Sequence, residues 1–151
     1  MSRLERIAAE VLNTGRLPEP TFERGRPDPI AFWREGELGM VSFLLHRSDG
    51  AFDVLSVGGE PSLNGEWDDF SAVFGSGVSY EVPERPAAGL DVFAMHGTDG
   101  MVGFPGLAAP GVEEVLLEGL SFPVFEPLGG FLAVARADPL TYTGEGPSVR
   151  R

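Results

Sequence analysis

The two histidines of this chain fall in one five-residue phrase that is written twice. His46-Arg47-Ser48-Asp49-Gly50 and His96-Gly97-Thr98-Asp99-Gly100 both run histidine, any residue, a hydroxyl residue, aspartate, glycine. In the same register Gly39 matches Gly89 and Phe43 matches Phe93, with apolar residues at most positions between. An Asp-Gly pair between two apolar, β-leaning runs marks a hairpin, because glycine accepts the positive φ of a tight turn. The phrase therefore predicts at least two similar hairpins in a chain dominated by strands. Few identities lie outside the turns, so the similarity reads as two hairpins meeting one turn requirement rather than as a duplication.

A chain of 151 residues with 42% hydrophobic residues fits one domain carrying a real core, with room for an extension. Its 21 glycines and 13 prolines are spread along the sequence, which punctuates strands and loops instead of forming a low-complexity tail. All eleven basic residues are arginine, a pattern expected of a very GC-rich genome. The net charge of −12 argues against binding to nucleic acid, which needs a basic footprint, and against anionic membrane surfaces. The same charge steers basic partners toward the chain. No cysteine is present, which removes disulfides, thiolate metal sites and cysteine nucleophiles together. Glu5 and Glu10 interrupt the apolar residues at the start, so no signal peptide is visible and the expected location is cytoplasmic.

Three segments follow from the order of the residues. Residues 1–15 predict a helix: Ser2 and Glu5 form an S-x-x-E capping box, and Asn13 and Gly15 supply the stop. Leu4, Ile7, Ala8, Val11 and Leu12 make one apolar stripe. A helix of this length is marginal alone, so the stripe must dock, on its own domain or on another chain. Leu4, Ile7, Val11 and Leu12 are accordingly candidate partner-binding residues, and a homodimer through them is one outcome beside a monomer. Residues 16–29 hold Pro18, Pro20, Pro27 and Pro29 among charges and predict an extended tether without regular structure. Residues 30–151 predict a β-sandwich domain, with strands near 40–47, 51–57, 70–74, 78–82, 90–96, 101–104, 112–118, 122–126, 131–136 and 140–143. The stretch 90–96 is apolar on both alternating sets and predicts a central strand covered on both faces.

The second half resembles a module common in actinobacterial proteins of unknown function. The resemblance rests on Gly106-Leu107-Ala108-Ala109-Pro110-Gly111-Val112-Glu113-Glu114-Val115-Leu116-Leu117, then Phe122-Pro123-Val124-Phe125-Glu126, then Gly130-Phe131-Leu132-Ala133-Val134. The stretch 40–57 is similar to the module's first hairpin, so about three-quarters of the chain is covered. The resemblance implies an immunoglobulin-like antiparallel β-sandwich. Where the module usually writes an aspartate-glycine turn, this chain has Glu118-Gly119-Leu120. No catalytic residues come with the pattern.

The sharpest chemical idea in the residues is a divalent-metal site from His46, Asp49, His96 and Asp99, which the two hairpins would supply if their turns met. The competing reading is that aspartate serves each turn through its own backbone. Asn64-Gly65-Glu66-Trp67-Asp68 starts like a calcium loop but has Asp69 at the glycine position and Gly75 where a bidentate glutamate belongs. Gly58-Gly59 and Gly75-Ser76-Gly77 read as turns, since they are too short to cradle phosphate and no lysine exists to reach one. No G-x-S-x-G elbow prepares a serine nucleophile. Trp33 and Trp67 read as packing residues.

These observations favour a non-enzymatic binding or interaction module with no cofactor and an unidentified protein partner. An acidic inhibitor of a basic protein, or a small metal-dependent hydrolase using the two hairpins, are the alternatives. Acidic side chains gathered on one face would mark the inhibitor, and a histidine in a pocket would mark the hydrolase.

Overall fold

The computed structural model describes residues 3–61, 67, 72–79, 83–98 and 100–149. It is mainly β with antiparallel sheets and one helix. Helix α1 (Arg3–Thr14) ends where Gly15 takes φ +70° and donates its N–H to the Val11 carbonyl at 2.8 Å. The guanidinium of Arg34 donates to the Leu12 carbonyl at 3.2 Å, placing a cation at the helix C-terminus. Ser2 of the predicted capping box lies outside the described residues.

Four strands follow as a simple meander: β1 (Pro27–Glu35), β2 (Leu38–His46), β3 (Phe52–Gly59) and β4 (Ala72–Ser79), hydrogen-bonded in that order. The two faces of this sheet do different jobs. Val41, Phe43 and Val57 on one face pack with Ala8, Val11 and Leu12 of the helix and with Trp67. Met40, Leu44, Phe52 and Val54 on the other face join the main core. Burying Val11 and Leu12 stabilises the docked helix by about 2 kcal/mol each, enough to hold a segment that is marginal on its own.

Facing the meander, β7 (Met101–Ala108) pairs with β10 (Gly130–Ala135) on one side and with β5 (Leu90–Val92) and β6 (His96–Thr98) on the other. A third, small sheet has the order β11-β8-β9, from Ser148–Val149, Glu114–Leu117 and Leu120–Pro123. β4 lies beside β6, and β1 runs along β10 with Gly130 against Ile30 and Arg136 3.8 Å from Glu35. Both edges of the meander therefore meet the second sheet. Between them, Gly103 leaves room for Met40: a Cβ there would stand 2.5 Å from its sulfur.

Several expectations need correction. The strand β1 starts at Pro27, inside the segment read as an irregular tether, because an outer strand tolerates proline and a bulge between Pro29 and Ala31 absorbs the misfit. Gly75-Ser76-Gly77 is no turn. It lies within β4, where Leu55 faces Gly75, Val54 faces Ser76 and Asp53 faces Val78, so Gly77 is the extra residue of a bulge. Residues 80–82 of the second strand expected there, and 70 and 71 of the first, lie outside the described residues. The stretch 90–96 is neither continuous nor covered: residues 93–95 leave the ladder, and Val92 and Met95 are 39% and 53% exposed. The interruption faces Pro105 of β7, which has no N–H to give, though its carbonyl still accepts from Phe93 at 2.9 Å. The expected strand at 140–143 is instead a turn, in which Asp138 caps the Leu140 N–H at 2.9 Å.

The two Asp-Gly hairpins form, but in different registers. In the first, His46 faces Phe52, the Arg47 N–H donates to Ala51 at 2.8 Å and Gly50 has φ +91°, giving a loop built around Ser48-Asp49-Gly50. In the second, Thr98 faces Met101 across a two-residue turn with Gly100 at φ +77°. Glycine is required in both turns for the same reason, while the histidines end in unlike places.

Candidate functional site

His46 Nδ1 lies 2.8 Å from the Phe22 carbonyl, to which it donates, and its ring stacks on Phe52 at 4.4 Å. His96 is only 3% exposed, with Nδ1 2.6 Å from Ser56 Oγ, and that oxygen lies 2.8 Å from Ser42 Oγ. Ser42 and His46 are four residues apart on β2, roughly 13 Å along a strand. The imidazoles thus occupy separate positions along the meander and cannot share one ion. Asp49 is occupied as well: one carboxylate oxygen caps the Ala51 N–H at 3.0 Å and the other takes Arg47 at 2.9 Å. Asp99 lies outside the described residues, as do Asn64, Glu66 and Asp68 of the calcium-like stretch. Among the described residues no three His, Asp or Glu side chains gather as a metal would need.

The contact of His96 with Ser56 has the heavy-atom geometry of a base beside a nucleophile. Its setting does not: Ser42 and Ser56 are fully buried, and no substrate reaches them. Burial lowers the His96 pKa to about 4, which keeps the ring neutral near pH 7. The trio is a polar seam that ties β6 to β2 and β3 across the core.

Of the helix stripe, Val11 and Leu12 are buried against the chain's own meander, and Leu4 and Ile7 are half-buried at its margin. Trp67 is in the same cluster, its backbone exchanging hydrogen bonds with the Asn13 side chain at 3.0 and 3.4 Å. Trp33 is 9% exposed in the main core.

An open apolar groove lies elsewhere, between β1 and β9. These are the end strands of their respective sheets. Between them is a groove of about 430 Å³ whose walls include Phe32, Trp33, Leu120, Phe122 and Phe125. The rings of Phe32 and Phe125 meet at 4.8 Å, while Leu120 is 53% exposed. Arg34 and Glu35 line the groove too. Beside it, Glu113, Glu114 and Glu118 crowd β8 and its turn, and Tyr142 brings Glu145 close by donating to both the Glu118 carboxylate, at 3.0 Å, and the Glu145 carbonyl, at 3.1 Å. Sequence reasoning missed this site because its two walls are far apart along the chain. The run Leu120-Ser121-Phe122-Pro123-Val124-Phe125 was its one local signal. The groove can bury an apolar side chain and lies between the end strands of two sheets; among the described residues that line it, none is arranged for group transfer.

The chain matches no protein-family model, no curated protein and no solved structure.

Proposed function

We propose that this chain is a non-enzymatic protein-interaction module that uses the groove between β1 and β9 to take an extended segment of a partner protein. The observation that carries the reading is the open aromatic groove between two end strands, with Leu120 half-exposed at its rim. Exposed apolar side chains beside strand edges suit recognition by added strands, in which main-chain bonds give affinity and pockets give specificity. The scaffold in this reading is a β-sandwich, supported by the core that the meander shares with β7 and β10. The immunoglobulin-like type expected from the sequence belongs to the same proposal, although the uncrossed order of β1 to β4 is closer to an up-and-down arrangement. A cytoplasmic location is proposed with it. No helix among the described residues is long and apolar enough to cross a membrane.

The test is to pan displayed linear peptides on the purified chain and map the tightest by amide NMR shifts. The expected shifts centre on residues 32–35 and 120–125, and Leu120→Asp abolishes them while leaving the remaining spectrum in place. Peptides that map elsewhere, or that bind Leu120→Asp equally well, would sink the proposal.

A second reading, an acidic inhibitor of a basic protein, is favoured by Glu113, Glu114 and Glu118 in and beside β8, with the Glu145 backbone drawn near Glu118 by Tyr142. Association with a basic protein that slows steeply with salt and is lost on reversing Glu113 and Glu114 would select it over the groove. The metal-dependent hydrolase reading needs His46 and His96 on one ion, and the distance along β2 between His46 and Ser42, where the His96 seam ends, speaks against it.

A further inference from the structure

A second cavity, of about 400 Å³, lies between α1 and the segment that leads from it into β1. Its apolar wall is made by Ile7, Val11 and Leu17, together with Pro18 of the connecting segment and Pro27 and Pro29 at the start of β1. Its volume falls in the range of small-molecule sites, roughly 300–1,000 Å³. Two arginines, Arg16 and Arg26, line it.

Of the nine described arginines five are engaged by the protein, whereas Arg16 and Arg26, like Arg3 and Arg6 of the helix, are not. Arg24, Arg34, Arg47, Arg85 and Arg136 each hold a carbonyl or a carboxylate. Among the described residues, the guanidinium groups of Arg16 and Arg26 make neither a hydrogen bond nor an ion pair, in a chain with 23 acidic residues available. The two carboxylates at the same cavity pair with neither guanidinium. Asp28 is 2% exposed and spends both oxygens on Thr21 and Phe22, at 3.0 and 2.8 Å to their N–H groups respectively. Glu10 lies on the exposed face of the helix and pairs with neither arginine. An apolar wall with two unpaired guanidinium groups beside it is complementary to one chemical class. The geometry points to a small carboxylate with an apolar body, its tail against Ile7, Val11 and Leu17 and its charged end held by Arg16 and Arg26. The net charge of −12 repels simple anions, so the tail must supply the driving force and the arginines the selectivity.

This site is independent of the groove between β1 and β9, and its test is separate. Octanoate is titrated into the intact chain by calorimetry, with amide NMR shifts to locate it, beside octanol and acetate as matched probes. Octanoate is expected to bind saturably with shifts at residues 7–18 and 26–29, and octanol and acetate at least tenfold more weakly. Arg16→Gln and Arg26→Gln should each weaken octanoate about five- to tenfold, as expected for losing one charge-assisted contact at a partly exposed site. Neither side chain contributes to the core, so both variants keep the native spectrum. Equal binding of octanol would reduce the cavity to an apolar crevice, equal binding of acetate would reduce it to surface charge, and absence of octanoate binding at millimolar concentration would remove the site. Each of these three results overturns the inference.

Discussion

His96 Nδ1 sits 2.6 Å from Ser56 Oγ inside the core, joining the strand before the second Asp-Gly turn to the strand after the first. The repeated phrase thus puts one histidine to work between the sheets, while the other stays at a strand end on the Phe22 carbonyl. A buried neutral imidazole with a hydroxyl partner is stable in that place and its charged form is not.

That difference makes stability depend on pH. An unfolded imidazole takes its proton near pH 6.5, whereas folded His96 resists protonation down to about pH 4. The native state keeps its full advantage above pH 6.5 and loses it as pH falls from 6.5 to 4, by about 3 kcal/mol in total as an order of magnitude. Urea midpoints between pH 6.5 and 5, above the carboxylate range, should fall for the wild type and stay nearly flat for His96→Gln. Parallel slopes in the two proteins would falsify the assignment.

The helix and most strands were legible in the sequence, and the reasons differ by element. α1 announces itself through a 3.6-residue stripe and a glycine stop, both local signals. Three of the four strands beside the Asp-Gly turns are legible because the turns fix their ends, whereas 90–96 breaks opposite Pro105. β1 was hidden by Pro27 and Pro29, whose cost disappears at an outer strand with a bulge, a property of position in the sheet and not of sequence. Gly75-Ser76-Gly77 misled in the same way, since a bulge and a turn draw on the same residue types. The separation of His46 from His96 follows from hairpin register, which a shared five-residue phrase cannot set. Both cavities are made by segments that meet only in the fold.

Asp28 fixes the segment between α1 and β1. Its carboxylate accepts the Thr21 and Phe22 N–H groups, and Phe22 is held at φ +53°, a left-handed conformation that a bulky residue seldom adopts. Asp28→Ala should cost about 2 kcal/mol, the scale of hydrogen bonds to a charged acceptor. Amide exchange should locate the loss at Thr21 and Phe22 and leave the ladder between β2 and β3 protected. Unchanged protection at those two amides would show that something else holds the segment.

Gly39 and Gly58 lie on the paired strands β2 and β3, one register position apart, yet should respond unlike each other to alanine. A Cβ on Gly39 would stand 2.7 Å from Trp67 Cη2 and 3.1 Å from Leu12 Cδ1, so the helix layer must shift. At Gly58 the nearest atom is 3.5 Å away, an ordinary contact. Gly39→Ala should therefore lose roughly 1–3 kcal/mol as overpacking does, and Gly58→Ala should be near neutral or slightly stabilising by reducing unfolded-state freedom. Thermal melts of the two variants decide it; equal losses would mean that Trp67 yields easily.

Arg85 offers the cleanest separation of geometry from charge. Its Nε donates to the Ala108 carbonyl at 2.8 Å and its Nη2 to Ala109 at 3.1 Å, while both terminal nitrogens engage the Glu126 carboxylate at 2.6 and 3.1 Å. One planar group thereby clamps the end of β7 to the turn that leads into β10. Glu126 is 59% exposed, so its ion pair is screened and contributes little, whereas the carbonyls of Ala108 and Ala109 lie under the guanidinium. A lysine keeps the charge but cannot span those acceptors from a single nitrogen. Arg85→Lys should consequently lose about 2 kcal/mol, and Glu126→Gln less than about 1 kcal/mol. Chemical denaturation of the two variants measures both. If Glu126→Gln proved as costly as Arg85→Lys, charge pairing rather than the carbonyl clamp would hold this corner together.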